Sequence, residues 1–283
     1  MPDAVPPFAP PPPSLFDAYT PEQMALRVEK VGMAKAGLAA APLLALAVLA
    51  GAFIALGAMF FTVTMTGGGP DSGLGFGPTR LLGGVAFSLG LILVVVGGAE
   101  LFTGNVLMVM GWADGKVSTR ALLRNWGMVY AGNLAGGAGM AVLAFAGGLF
   151  ALDGGAVGET ALRIAEAKAA LPFGVAFAKG ILCNILVCLA VWLCFAAHSV
   201  TDKILAIVFP IAAFVALGFE HSIANMYFIP AGILLSPEGA MLAGAGGLKG
   251  FVANLVPVTL GNIVGGGGFV AAAYYVIYLR GRR

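Results

Sequence analysis

Charge is what this chain has least of. Among 283 residues only 15 are Lys or Arg and 13 are Asp or Glu, against roughly a quarter charged residues in an ordinary soluble domain. That deficit excludes a typical water-soluble fold. The formal net charge of +2 also removes the basic footprint a nucleic-acid partner would need. Histidine is nearly absent, with only His198 and His221 in the chain. The three cysteines, Cys183, Cys188 and Cys194, share one apolar stretch. They lack a tetrahedral ligand set and read as small hydrophobes, so no metal or other cofactor is expected. There is no His-Glu-x-x-His zinc motif, no Gly-x-Ser-x-Gly elbow and no paired aspartate. A catalytic claim needs a nucleophile–base constellation, so an enzyme is not expected. A basic-then-apolar leader is missing as well: the start is Pro-rich, at Pro6, Pro7 and positions 10–13, which speaks against a cleavable signal peptide.

What replaces charge is apolar length. Hydrophobic residues make up 60% of the chain and the mean hydropathy is +0.97. The apolar material falls into blocks long enough to cross a ~30 Å hydrocarbon core, which takes about 20 helical residues. Six spans are expected, near residues 36–65, 81–110, 122–152, 173–197, 204–229 and 251–279. Backbone polar groups cannot be left open in lipid, so the spans should be helices. Lysine and arginine orient them. Ten of these residues, including Arg27, Lys30, Lys35, Lys116, Arg120, Arg124 and Lys203, fall on the side of the two termini. Arg80, Arg163, Lys168, Lys179 and Lys249 fall on the other. The excess places both termini in the cytoplasm and the chain in the cell (inner) membrane, lodged in the lipid bilayer.

The resulting division is a Pro-rich lead at 1–20, an amphipathic cytoplasmic helix at 21–35, a first three-helix repeat at 36–152, an extracytoplasmic loop at 153–172, a second repeat at 173–279 and a short tail at 280–283. Thr20-Pro21-Glu22 is a good helix start, with an N-cap, proline at N1 and an acid in the first turn.

The halves carry one pattern twice. The first copy runs Glu100, Asn105, Asn125, Gly132, Asn133, Gly136, Gly137, Gly139. The second runs Glu220, Asn225, Asn254, Gly261, Asn262, Gly265, Gly266, Gly268. Three spans per half is an odd number, so the second half enters from the opposite side, as in inverted-repeat transporters with a midplane site. The glycines read as helix-packing positions. Buried carboxylates and amides inside spans two and five, preceded by glycines, point to two broken helices meeting near the pseudo-two-fold axis. Glu100 and Glu220 read as supports of those breaks, with Asn133 and Asn262 completing the polar networks alongside Asn105 and Asn225. The copies differ where Leu101 stands in one and His221 in the other.

Five stretches carry a resemblance to a known family: 99–105 (AELFTGN), 125–137 (NWGMVYAGNLAGG), 179–192 (KGILCNILVCLAVW), 218–226 (GFEHSIANM) and 257–266 (PVTLGNIVGG). In order and over residues 18–280, they resemble the formate/nitrite transporter family. The resemblance implies an aquaporin-like all-α fold, a homopentamer with one pore per protomer, and passage of small monovalent anions or their acids. It assigns His221 as the central pore histidine, Thr103 as its partner and Asn184 as a pore-lining amide. It also assigns Leu91, Leu101 and Phe102 to a cytoplasmic constriction, Phe87, Val187 and Phe214 to a periplasmic one, Lys168 to the vestibule, and the amphipathic N-terminal segment to a gate. The residues after the histidine, Ile223 to Pro230, look most like the formate branch; nitrite and hydrosulfide branches share the core motifs.

The chemistry implied is proton sharing. An imidazole titrates near ~6.5, burial favours its neutral form, and an arriving anion favours the protonated one. A weak-acid anion that takes a proton from His221 crosses an apolar ring far more cheaply than the ion. Lys168 and Lys179 would concentrate anions at the extracytoplasmic mouth. A neutral-solute pore of the aquaporin type is the distant alternative, and the paired Asn-Pro-Ala motifs of that class are absent from the sequence.

Overall fold

The computed structural model describes residues 17–68, 73–236 and 247–281; the prolines at 6–13, most of the 1–20 lead, Arg282 and Arg283 lie outside them. Ten helices of six residues or more, and no strand, occur among the described residues. They are α1 (Pro21–Ala36), α2 (Ala40–Met65), α3 (Phe76–Gly97), α4 (Phe102–Ala113), α5 (Thr119–Ala146), α6 (Ala156–Ala169), α7 (Phe173–Cys194), α8 (Val200–Ala216), α9 (Ser222–Leu235) and α10 (Leu248–Tyr278). Five of them, α2, α3, α5, α7 and α10, are long and apolar enough to cross a membrane. Helices α4 and α9 are shorter and also apolar.

Helix α1 starts on a reciprocal capping box. The Thr20 hydroxyl accepts from the Gln23 amide, and the Gln23 side chain accepts from the Thr20 amide. That arrangement satisfies two otherwise open donors. One face, Met24, Ala25, Val28, Glu29 and Gly32, is buried. It packs on α4, where the position a Gly32 Cβ would occupy is 3.5 Å from the Met108 Cα.

Glycine sets the helix spacing. Helix α2 packs on α3 and α5, α3 on α8, and α7 on α10. A Cβ at Gly136 would lie 2.1 Å from the Val48 carbonyl oxygen, and one at Gly265 would lie 2.2 Å from that of Ile181. No larger residue fits such an approach. Five of the eight repeated glycines meet a neighbour this closely; a Cβ at Gly137 would lie 3.2 Å from the Met226 carbonyl oxygen, and Gly139 and Gly268 face open space. The Gly-rich stretch of α10 also widens into a π-helix at Val264–Ala272.

Three boundaries differ from the hydropathy reading. The apolar stretch at 81–110 is two helices, because α3 stops at Gly97 and Gly98 takes the left-handed conformation at φ 79°. The stretch at 204–229 is likewise cut after Ala216, with Gly218 at φ 71°. Hydropathy passes over both interruptions because the residues in them are mostly apolar themselves. The 153–172 loop contains a 14-residue helix, α6; its alternating small and charged residues make an amphipathic face that packs on α9.

Candidate functional site

Each helix interruption leaves backbone groups that must find partners away from water. At the first, Asn133 on α5 reaches across. Its Oδ1 accepts the Phe102 amide at 2.9 Å, while its Nδ2 donates to the carbonyls of Ala47 and Glu100 at 2.7 and 3.0 Å. At the second, Asn262 on α10 does the same: Oδ1 accepts the Ser222 amide at 3.0 Å, and Nδ2 donates to Gly180 and Glu220 carbonyls at 2.8 and 3.0 Å. One amide thus serves as donor and acceptor at once, which a carboxylate cannot do.

The carboxylates face a different set of groups. Glu100 accepts from Lys35 Nζ at 2.8 Å and Asn105 Nδ2 at 2.7 Å; Asn105 Nδ2 also donates to Asn125 Oδ1 at 2.9 Å. Glu220 accepts from Lys168 Nζ at 2.9 Å and Asn225 Nδ2 at 2.7 Å; Asn225 Nδ2 also donates to Asn254 Oδ1 at 2.7 Å. Asn125 and Asn254 close the circuits by donating to the backbone carbonyls of Lys35 and Lys168. Asn133 and Asn262 therefore join the backbone at the breaks rather than the carboxylates, and a lysine completes each carboxylate. Sequence reading misses Lys35 in this role and gives Lys168 a different one.

The two halves diverge at the N-caps. Leu101 caps α4 without a side-chain bond. His221 caps α9, its Nδ1 accepting the Ala224 amide at 3.1 Å. A neutral ring that accepts at Nδ1 carries its hydrogen on Nε2. Nε2 lies 2.9 Å from Thr103 Oγ1 on α4, so His221 donates and Thr103 accepts. His221 is 3% exposed and Thr103 fully buried. The Thr103 carbonyl is held by Asn184 Nδ2 at 3.2 Å and by the Cys188 thiol at 3.4 Å. Asn184 also donates to the Asn262 carbonyl at 2.7 Å, and its Oδ1 has no hydrogen-bond partner among the described residues.

Two cavities flank this pair and share no lining residue. One, of about 420 Å³, is walled by α1, α3 and α4 and includes Leu91, Leu101, Glu100 and three cations, Arg27, Lys35 and Lys203. The other, of about 310 Å³, includes His221, Phe87, Phe214, Glu220 and again three cations, Arg80, Lys168 and Lys179. Phe87 and Phe214 meet edge to face at 5.6 Å, and the Phe214 ring lies 5.9 Å from the imidazole. Phe102 and Val187 line neither cavity. The Phe102 ring turns toward α5, packing edge-on against Tyr130 at 5.0 Å and Trp126 at 6.0 Å.

Residues 22–276 match the family model described as formate/nitrite transporter. The chain belongs to the formate/nitrite transporter family. It is 42% identical over 94% of its length to the formate channel FocA of Escherichia coli strain K12, covering 96% of that protein. It is 43% identical over 82% of its length to a probable formate transporter of Methanothermobacter thermautotrophicus, covering 86% of it. Among solved structures it resembles a pentameric formate channel with formate bound, at 46% identity and a TM-score of 0.77, covering 85% of this chain and 98% of that one. An FNT family ion channel gives 32% identity and a TM-score of 0.78, covering 90% and 98%. These relatives are described as channels and transporters. Family membership and the apolar helices make the chain a multi-pass membrane transport protein.

Of the cavity cations, Lys168 and Lys179 are expected from the sequence at the mouth that holds them, whereas Arg27, Lys35, Arg80 and Lys203 are not assigned to a site there. Arg27, Arg80 and Lys203 stand outside every repeated motif. Their only sequence signal is that each sits within about a turn or two of the end of an apolar run.

Proposed function

We propose that this chain is a formate channel, assembled as a homopentamer, in which His221 shares a proton with the anion as it passes. The substrate and assembly readings are supported by the relatives named for formate and by the pentameric neighbour. The observation that carries the mechanism is the Thr103–His221 hydrogen bond, which joins two helix interruptions between two separate cationic cavities. Six spans in two inverted repeats, with α3–α4 and α8–α9 as the broken pair, account for the matched left-handed glycines Gly98 and Gly218. The division into an N-terminal helix and two repeats, with both termini cytoplasmic and the inner membrane as the site, follows the same reading. Leu91, Leu101 and Phe102 form the cytoplasmic constriction; Phe87, Val187 and Phe214 form the periplasmic one. Asn184 holds the pore-side backbone of Thr103.

Cations at both mouths draw the anion into water-filled funnels whose apolar ends an ion crosses at high cost. The neutral imidazole in the resting geometry offers Nε2–H, and the anion competes with Thr103 for it. Full transfer requires the imidazolium. That form arises when Nδ1 takes a proton from solvent and releases the Ala224 amide, a change the adjacent anion stabilises. The Nε2–H bond then breaks toward a carboxylate oxygen, leaving a neutral ring and a neutral acid. The uncharged acid crosses the hydrophobic ring and releases its proton to solvent on the far side. The imidazole returns to its resting form by losing the Nδ1 proton to solvent and regaining one at Nε2. Thr103 keeps the ring turned so that Nε2 faces the path.

Flux into proteoliposomes tests the substrate. Formate should enter faster than nitrite or hydrosulfide at matched concentration and pH. Equal or faster entry of either competitor overturns the formate assignment.

A further inference from the structure

Of the three cations in the cavity beside His221, one is already neutralised. Lys168 Nζ sits 2.9 Å from Glu220 Oε1, and the two side chains are 15% and 6% exposed. Glu220 is the only acidic residue in that cavity wall among the described residues. Lys179 has no carboxylate partner among the described residues, and neither does Arg80.

Arg80 is held from behind. Its Nε donates to the Ala216 carbonyl at 3.2 Å and its Nη2 to the Val215 carbonyl. These are the last two residues of α8, where the helix dipole leaves partial negative charge. A guanidinium has five N–H donors in a fixed fork. Two bonds to carbonyls leave three donors, among them both on Nη1. The group is thus oriented at no expense to its formal charge, since peptide carbonyls carry dipoles and no net charge. Both Arg80 and Gly218 line the cavity, and a Cβ on Gly218 would lie 3.4 Å from Nη2, so the glycine leaves the guanidinium uncrowded on that side.

We propose that Arg80, assisted by Lys179, is the docking site for the monovalent carboxylate or oxyanion in this cavity, loading it ahead of His221. This rests on the anion-channel reading above. Arg80 contacts the anion with its free guanidinium edge, and Lys179 adds unshared positive charge. Lys168 belongs to the Glu220 network and contributes little to capture.

The test is formate flux in proteoliposomes as a function of formate concentration, at low and high ionic strength, for the wild type and for Arg80→Gln, Arg80→Lys, Lys179→Gln and Lys168→Gln. Expected is a half-saturating concentration raised about three- to tenfold in Arg80→Gln and raised less in Lys179→Gln, with maximal flux within about twofold of wild type. High salt should shrink the difference, because screening removes what unshared charge supplies. Arg80→Lys should restore most of the loss. If Arg80→Gln does not assemble, Lys179→Gln still decides the matter, since it must raise half-saturation in a salt-dependent way while Arg80→Lys stays near wild type. A purely structural arginine gives the opposite pattern: lower maximal flux and a lower melting point, with half-saturation and its salt dependence unchanged. That result overturns the site, as does a larger half-saturation shift in Lys168→Gln than in Arg80→Gln. A wild type that carries no formate at any concentration overturns the channel reading itself, and the docking site with it.

Discussion

Thr103 Oγ1 and His221 Nε2 lie 2.9 Å apart although 118 positions separate them in the chain. The contact exists because two helix interruptions, each opened by a left-handed glycine, bring the start of α4 against the start of α9. It also fixes the direction of the bond, since Nδ1 is committed to the Ala224 amide.

Thr103→Val removes the acceptor and keeps the shape. The buried Nε2–H then lacks its partner, a loss of about 1–3 kcal/mol, and the ring loses its orientation. Formate flux should fall by about tenfold, whereas Thr103→Ser, which retains the oxygen, should stay near wild type. Stopped-flow uptake in proteoliposomes distinguishes the two, and equal flux in Val and Ser variants contradicts the assigned bond.

The two carboxylate networks should not respond equally to neutralisation. Lys35 keeps a second acceptor, Asn105 Oδ1 at 2.8 Å, and is 25% exposed. Lys168 donates to Glu220 and otherwise lies 5.3 Å from the Phe228 ring centroid. Removing one member of a buried pair costs about 3 kcal/mol or more, and partial exposure of the lysines lowers that figure. Glu220→Gln should therefore lower the thermal midpoint of the purified protein more than Glu100→Gln does. The reverse order is inconsistent with the geometry.

Gly136→Ala and Gly265→Ala put a Cβ on a carbonyl oxygen of the facing helix. Each should reduce the yield of assembled protein or destabilise it by about 1–3 kcal/mol or more, as overpacking does. Gly139→Ala, from the same repeated pattern, meets nothing within 4 Å and should be close to neutral. Gel-filtration yield and melting temperature of the three variants give the comparison.

Helix α1 is tied to the turn after α4 by Lys116, whose Nζ lies 2.7 Å from Glu29 Oε2 and 3.0 Å from Asp114 Oδ2. The hydrogen bond to Glu29, followed by that to Asp114, raises the Lys116 pKa above its ordinary 10.5. A raised folded-state pKa means the tie is fully present below the ordinary value and is lost only as pH climbs through the raised one. Hydrogen exchange in residues 21–36 should thus show no opening between about pH 7 and 9 beyond the intrinsic rate change. Opening of α1 across that interval argues against the tie.

The repeated polar pattern is legible in the sequence because each of its two pieces, Glu to Asn on one helix and Asn to the last Gly on the next, keeps the same spacing in both copies, although the stretch between the pieces differs in length. The lysines are not, because Lys35 precedes Glu100 by 65 residues and Lys168 precedes Glu220 by 52. Loops of different length intervene, so aligning the halves on their carboxylates loses the cations. Measured from the other end the match returns: Asn133 and Asn262 bind the carbonyls of Ala47 and Gly180, each twelve residues after its lysine. The helix interruptions escape hydropathy because glycine and apolar residues fill them, and it is the glutamates, amides and glycines inside the apolar runs that point to them. Helix α6 escapes it because its period is amphipathic rather than apolar, and Arg80 escapes motif reading because its partners are carbonyls.

The most direct test is formate flux through His221→Phe across about pH 5 to 8, the range in which an imidazole can exchange its proton. Phenylalanine keeps a flat ring against Phe214 but can neither cap α9 nor hold a proton. Flux should fall at least about tenfold, and the wild-type pH dependence should vanish from what remains. Formate carried at the wild-type rate with the wild-type pH profile would contradict proton sharing at His221.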